Sequence, residues 1–549
     1  MPSTGYDRRY ALGAFAAAAA TTTTLIPPGA LAMTSTEPVA QTSLGLVRGA
    51  LQGGVMSFKG IRYARAERFQ PPVAPAPWTG IVDTMGFGMS APQSNPNPPP
   101  GPPYVILAQL PRPADAPPPP PPSPESEDCL FLNVWTSGLR DGRKRPVMVS
   151  LHGGFFYGGS GSGVDGSRLA ARGDVVFVSL NHRLNAFGYT HLAGLGGEEF
   201  AHSGNAGMLD IVAALQWVRE NIENFGGDPS RVMVFGTSGG GMKTTFLMAS
   251  PHARGLLHRA GVQSGPALRF MERDAAAAVT DRLLHRLGIA PRDWATLRTL
   301  PVKELLAGYH AVAADLPPRN FAHLPCFAPV IDEALLPHHP FSPQAAAGTR
   351  DIPMLIGSNG QEMSFFWGND PAAFSLDDAG LATRARVFLG ERTEAVLAQY
   401  RAAYPAASPS RLYLQLFTDY SIQLPIITQA ERKDGAPAWL YRLDFQSPAL
   451  GGELGALHTL ETPFILDTTG AARALVGEGE EPARLARKMS DAWVSFAATG
   501  DPNASGGGLP HWPADERTAR ATMLLDRACR VENDPARMAR QALADLVEG

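Results

Sequence analysis

Short apolar runs alternate along the chain with polar, glycine-rich stretches and one clear helical repeat. Val147-Met148-Val149-Ser150-Leu151 and Val175-Val176-Phe177-Val178-Ser179-Leu180 are near-continuous apolar runs, as expected of strands buried on both faces. Leu130 to Trp135 predicts a further strand, and Gly60 to Ala64 with Arg68-Phe69 a β-rich start. Leu209, Val212, Ala213, Leu215, Trp217, Val218 and Ile222 recur at helical spacing, and Phe225-Gly226-Gly227 marks the end of that helix. Val232-Met233-Val234 then predicts a strand that runs into a sharp turn, Phe235-Gly236-Thr237-Ser238-Gly239-Gly240-Gly241, with a helix after it. Strand and helix alternating in this way predict an α/β fold: a mostly parallel central sheet covered by helices on both faces.

Two segments break the pattern. Residues 91–124 are nearly half proline, and the run Pro117 to Pro122 favours an extended polyproline helix that cannot join a sheet. Strand-like segments on both sides make this a surface insertion within one domain, residues 33–549, rather than a linker between two. At the amino terminus, Arg8-Arg9 precede a weakly apolar run from Ala11 to Ala20, and Ala30-Leu31-Ala32 is a small-residue cleavage site. Residues 1–32 therefore resemble a twin-arginine export signal, which predicts a bacterial protein that is periplasmic or secreted. No other stretch approaches the roughly 18 apolar residues of a membrane span.

Composition narrows the function classes. A net charge of −4, without a block of Lys and Arg that could track phosphates, argues against a nucleic-acid partner. Three cysteines, Cys129, Cys326 and Cys529, allow at most one bridge and no disulfide framework. His338-His339 is not a metal pair, because adjacent histidines diverge and no matching carboxylates or cysteines follow; both read as surface residues. No metal or cofactor is expected.

The chemistry starts at Ser238. Glycines two residues before and two after it leave room for a strained turn that lifts the hydroxyl out of the sheet, the arrangement of a nucleophile elbow. A nucleophilic serine needs a base, and His458 is the best candidate, in a Gly-rich loop after the strand-like Trp439 to Leu443. The base needs an orienting carboxylate, and Glu362 follows the apolar run Pro353 to Ile356. The chain order Ser238, Glu362, His458 is that of an α/β-hydrolase. His152-Gly153-Gly154-Phe155-Phe156 follows a predicted strand and offers unobstructed backbone N–H groups. The oxyanion hole is accordingly assigned to the N–H groups of Gly154, Phe155 and Gly239.

With these residues in place, the chain resembles the type-B carboxylesterases, which include para-nitrobenzyl esterases and cholinesterases. The likeness covers nearly the whole chain after the signal. It includes Glu127-Asp128-Cys129-Leu130, Asn181-His182-Arg183-Leu184, Gly204 to Asp210, Phe225-Gly226-Gly227-Asp228-Pro229, Gln263-Ser264-Gly265 and Thr499-Gly500-Asp501-Pro502-Asn503. The resemblance implies the α/β-hydrolase fold, with Ser238 as nucleophile, His458 as general base and Glu362 as the acid. It also implies that Phe327 lines the acyl pocket, with Phe155 narrowing it; the other aromatics nearby, Tyr157, Phe365, Phe366 and Trp367 among them, read as ordinary core.

Several positions depart from the family pattern. Thr237 stands where a glutamate is usual, and Phe155 where a small residue is. Cys129 matches a half-cystine whose usual partner position is Ala91, leaving that loop unclosed. The tryptophan context with which cholinesterases hold a choline cation is missing, so a choline ester is not favoured. The expected activity is hydrolysis of a small, apolar or aromatic carboxylic ester. An amide or carbamate hydrolase on the same triad is the alternative. A non-catalytic binding member of the fold is disfavoured, because such members lose the nucleophile or the histidine.

Overall fold

The computed structural model describes residues 37–95, 123–316, 326–504, 508–543 and 546. The export-signal reading, and all but the two ends of the Pro-rich segment, lie outside the described residues. From Pro38 on, the chain builds one compact unit.

A small sheet is formed by β1 (Val39–Gln41), β2 (Leu46–Arg48) and β5 (Ile81–Asp83). The large sheet takes in β3 (Ala50–Gln52), β4 (Val55–Arg62), β6 (Phe131–Thr136), β7 (Arg145–Ser150), β8 (Val176–Leu180) and β9 (Gly227–Thr237). It continues through β10 (Arg259–Gln263), β11 (Met354–Asn359), β12 (Ala438–Leu443), β13 (Ala521–Leu525) and β14 (Arg530–Asn533). Its 11 strands run in the order β14-β13-β12-β11-β10-β9-β7-β8-β6-β4-β3. The seven strands from β13 to β8 are mutually parallel, while β14 on one side and β6, β4 and β3 on the other pair antiparallel. The mostly parallel sheet expected from the sequence is present.

Successive side chains of a strand point to opposite faces, so the continuous apolar runs feed two cores at once. Val147, Val149, Val176, Val178, Val232 and Val234 enter one apolar cluster, where helices Ala206–Asn221 and Gly239–Ala249 bury Met208, Ile211, Met242 and Phe246. Met148, Phe177, Met233 and Phe235 enter the other, against Leu485, Met489, Trp493 and Phe496 of helix Glu480–Thr499. Burying each such side chain contributes about 1.5–3 kcal/mol. Covered on both faces, the central strands present little but their ends to solvent, and chemistry belongs at their carboxyl ends.

Arg68 and Phe69 belong to no strand. Phe69 has φ 69°, and the Arg68 guanidinium leaves the sheet to pair with Glu127 and donate to the Leu297 and Leu300 carbonyls at 2.7 and 2.8 Å. The ends of the Pro-rich segment are tied together, the Ser90 N–H donating to the Pro124 carbonyl at 2.9 Å.

Candidate active site

Ser238 links the end of β9 to helix Gly239–Ala249, with φ 62° and ψ −125°. That conformation costs on the order of 1–3 kcal/mol for a residue with a side chain. Its N–H is fixed by the Gln263 carbonyl at 2.7 Å, from the end of the neighbouring β10. The turn can be this tight because residue 240 has no Cβ; one placed there would stand 2.2 Å from the Leu151 carbonyl oxygen. Ser238 is 5 % exposed.

His458 and Glu362 come from the loops that follow adjacent parallel strands. Glu362 follows β11, opens helix Met363–Phe366 and is wholly buried; its Oε1 accepts the Asn359 N–H at 2.6 Å. His458 lies between β12 and helix Glu461–Ile465, and its Nδ1 is 2.5 Å from Glu362 Oε2. An ionised carboxylate only accepts, so Nδ1 carries the proton and Nε2 keeps the basic lone pair.

A second carboxylate lies beneath this pair. Glu461 Oε2 accepts from Asn359 Nδ2 at 2.5 Å, and its Oε1 from the Thr237 hydroxyl at 3.0 Å. Burial, and then the Glu362 charge, push the Glu461 carboxyl above its ordinary pKa. Sequence reasoning missed Glu461. Its only signal was its place three residues after His458, shared with any helix-opening glutamate.

The loop after β7 carries two successive left-handed residues, Gly154 at φ 81° and Phe155 at φ 49°. The elbow lies directly against the Phe155 backbone: a Cβ on residue 239 would lie 2.5 Å from the Phe155 nitrogen. Glycine at 239 therefore lets the start of the helix seat directly on the Phe155 backbone. The Phe155 ring stacks on Tyr157, centroids 5.6 Å apart and 12° from parallel. The loop is also tied to the base of the Pro-rich segment, since Gln93 receives the Gly159 N–H at 2.8 Å and donates to the Gly159 carbonyl at 3.1 Å.

Ser238, His458, Gly153, Gly154 and Phe155 line one cavity of about 350 Å³. Its other walls include Tyr157, Val164, Phe365, Phe366, Ile465 and Leu466, and no Asp, Glu, Lys or Arg lines it among the described residues. The Phe365 and Phe366 rings stand 5.6 and 4.7 Å from the His458 ring. Tyr157, Phe365 and Phe366, expected in the core, face this space, whereas Phe327 does not line it; its ring packs on Tyr309 at 5.3 Å. Cys129 and Ala91 are both buried, and Cys129 and Cys529 carry free thiols. Of the two adjacent histidines, His338 is exposed, whereas His339 is half-buried with Nε2 2.9 Å from Glu272. No group of three metal-ligating side chains occurs among the described residues.

A strained serine, a histidine backed by a glutamate and a glycine loop at the carboxyl ends of a parallel sheet define a serine hydrolase of the α/β-hydrolase fold. The family model described as the carboxylesterase family matches residues 36–542, and the chain belongs to that family as a serine carboxylic ester hydrolase. It is 34% identical over 517 residues to the para-nitrobenzyl esterase of Bacillus subtilis (strain 168), covering 92% of this chain and 99% of that one. It is 33% identical over 522 residues to the phenmedipham hydrolase of Pseudarthrobacter oxydans, covering 91% and 98%. Among solved structures it is similar to the Geobacillus stearothermophilus carboxylesterase EST55, with TM-score 0.77, 34% identity, and 92% and 99% of the two chains covered.

Proposed function

We propose that the protein hydrolyses a small, neutral ester with an apolar or aromatic group through a Ser238–His458–Glu362 triad. One observation carries the reading: the 2.5 Å contact of His458 Nδ1 with buried Glu362, on a histidine that shares its cavity with strained Ser238. In the first half-reaction Ser238 Oγ bonds to the ester carbonyl carbon while its proton passes to His458 Nε2. The carbonyl π pair moves onto oxygen, and the N–H groups of Gly154, Phe155 and Gly239 stabilise that charge; losing one such donor costs about 10²- to 10³-fold in rate. When the pair returns, the bond to the leaving oxygen breaks and Nε2 gives that oxygen the proton. Water then repeats the sequence on the acyl-enzyme, releasing the acid and restoring Ser238. Glu362 keeps its charge throughout and stabilises the imidazolium that forms twice.

Two features support the substrate class. A cavity near 350 Å³ fits a small molecule, and walls that carry no charged side chain among the described residues provide no counter-ion for a charged substrate. The flat faces of Phe155 with Tyr157, and of Phe365 with Phe366, suit an aryl group. The Arg8-Arg9 segment supports export from a bacterial cell.

The test is Ser238→Ala against a panel of para-nitrophenyl acyl esters, matched anilides and carbamates. Wild type should turn over the esters, and the variant should lose hydrolysis with an unchanged melting temperature. Turnover of the anilides or carbamates alone would move the reading to an amide or carbamate hydrolase on the same triad. More than a trace of ester hydrolysis by Ser238→Ala would remove the nucleophile assignment.

A further inference from the structure

Lys243 is wholly buried on helix Gly239–Ala249, and among the described residues no carboxylate pairs with it. An unpaired ammonium in a dry interior destabilises a fold, and an apolar residue of the same length would occupy the space at less cost. The surroundings do little to offset that cost. The Phe156 ring centroid lies 5.8 Å from Nζ. Two imidazoles, His152 and His182, stack at 4.8 Å and 3° from parallel beside it. Both are held neutral: burial, then Lys243, lowers His152 to about 3, and the same two causes lower His182 well below its usual value. The Lys243 ammonium is itself pushed down to about 7 by burial.

The hydrogen bond it does make is directed at the catalytic loop. Nζ donates to the His152 carbonyl at 2.9 Å. Residues 239 and 243 are one turn apart and share a helix face. That face meets the oxyanion loop twice, at Phe155 through the bare backbone of Gly239 and at His152 through the Lys243 ammonium.

We propose that Lys243 is a positioning residue for the oxyanion hole, an inference that rests on the acyl-transfer reading above: by gripping the His152 carbonyl it fixes the Gly153–Phe155 peptides relative to Ser238. The loop is then clamped at both ends by the helix that begins at the nucleophile, and its two left-handed residues cannot relax away from the reacting carbonyl.

The test compares Lys243→Met with wild type in ester kinetics, thermal melting and inhibition by phenylboronic acid, a tetrahedral adduct former. Losing a support for the oxyanion donors should lower kcat by about tenfold or more, up to the roughly 10²- to 10³-fold of losing a donor outright. KM should stay within about twofold, since the grip acts on the transition state. The boronate inhibition constant should rise by the factor lost in kcat/KM, and the melting temperature should not fall. A lower melting temperature with unchanged kcat would make Lys243 structural and overturn the proposal. So would a loss confined to KM, or unaltered boronate binding. If Lys243→Met does not fold, Lys243→Leu, which likewise lacks a donor, decides by the same three readouts. A wild type inert towards every ester would sink the acyl-transfer reading instead, an outcome distinct from a working wild type matched by its variant.

Discussion

The Thr237 hydroxyl donates to Glu461 Oε1 at 3.0 Å, tying the residue before the nucleophile to a buried carboxylate behind the His458–Glu362 pair. Where the resemblance leads one to expect a glutamate, this chain places a donor. Gln263 Nε2 in turn donates to the same hydroxyl at 3.3 Å, extending the network to the next strand.

A pH dependence follows. The folded protein raises the Glu461 carboxyl above its unfolded value, by burial and by Glu362. The native state therefore holds that proton more tightly than the unfolded chain does. The stability this contributes is complete below the unfolded value, about 4.3 for a glutamate, and is lost as pH rises from there through the folded value. Glu461→Gln resembles the protonated form at every pH. Its melting temperature should match wild type in acid, below that unfolded value, and exceed it increasingly as pH rises to neutrality. A gap that stays constant with pH would refute the raised carboxyl.

The sheet was legible because its central strands leave no polar face. Val147 to Leu151 and Val175 to Leu180 read as doubly buried runs, and they overlap β7 and β8 to within two residues at either end. The Ser238, Glu362 and His458 positions were legible because each follows an apolar run at a strand end. The cavity walls were less so. Phe365 and Phe366 have the composition of core residues, yet in the helix that follows Glu362 their rings lie beside His458. Arg68 and Phe69 continued a strand-like stretch, but long-range hydrogen bonds to Leu297 and Leu300, over 200 residues away, draw the arginine out of the sheet. Lys243 carried no signal at all, since a lysine in a helix reads as a surface residue until all 11 residues of that helix prove buried.

Glu362→Gln keeps the size of the side chain but supplies an N–H where His458 Nδ1 needs an acceptor. The imidazole would then present its N–H, not its lone pair, to the serine. kcat for an aryl ester should fall by roughly 10³- to 10⁴-fold, the scale of an acid-to-amide change in such triads. KM should change little. A loss under tenfold would mean that Glu362 does not orient the base.

Phe366 offers a test of substrate class. Its ring lies 4.7 Å from the His458 ring and on the cavity wall, so Phe366→Ala affects both the base and the space for substrate. The ratio of kcat/KM for a benzyl ester to that for an ethyl ester of the same acid separates the two, because the two leaving alcohols have similar acidity and an effect on His458 cancels. An aromatic contact worth about 0.5–1.5 kcal/mol should lower this ratio by roughly 2- to 12-fold. An unchanged ratio would remove the aromatic wall from the specificity argument.

Cys129 tests the packing of the stretch that leads into β6. It is free, fully buried, and its thiol is pushed far up by burial and then by Asp210. Only the thiolate reacts with alkylating agents, so Cys129 is protected twice, by access and by ionisation. Cys529 is half-buried, its thiol raised as well and donating to the Asp526 carbonyl at 3.2 Å. Treatment of native protein with iodoacetamide at pH 8, followed by peptide mass mapping, should modify Cys529 well before Cys129. Protection of Cys129 should end only with global unfolding, at the same urea concentration that abolishes the tertiary signal. Alkylation of Cys129 at the rate of Cys529 would mean that the stretch leading into β6 opens locally.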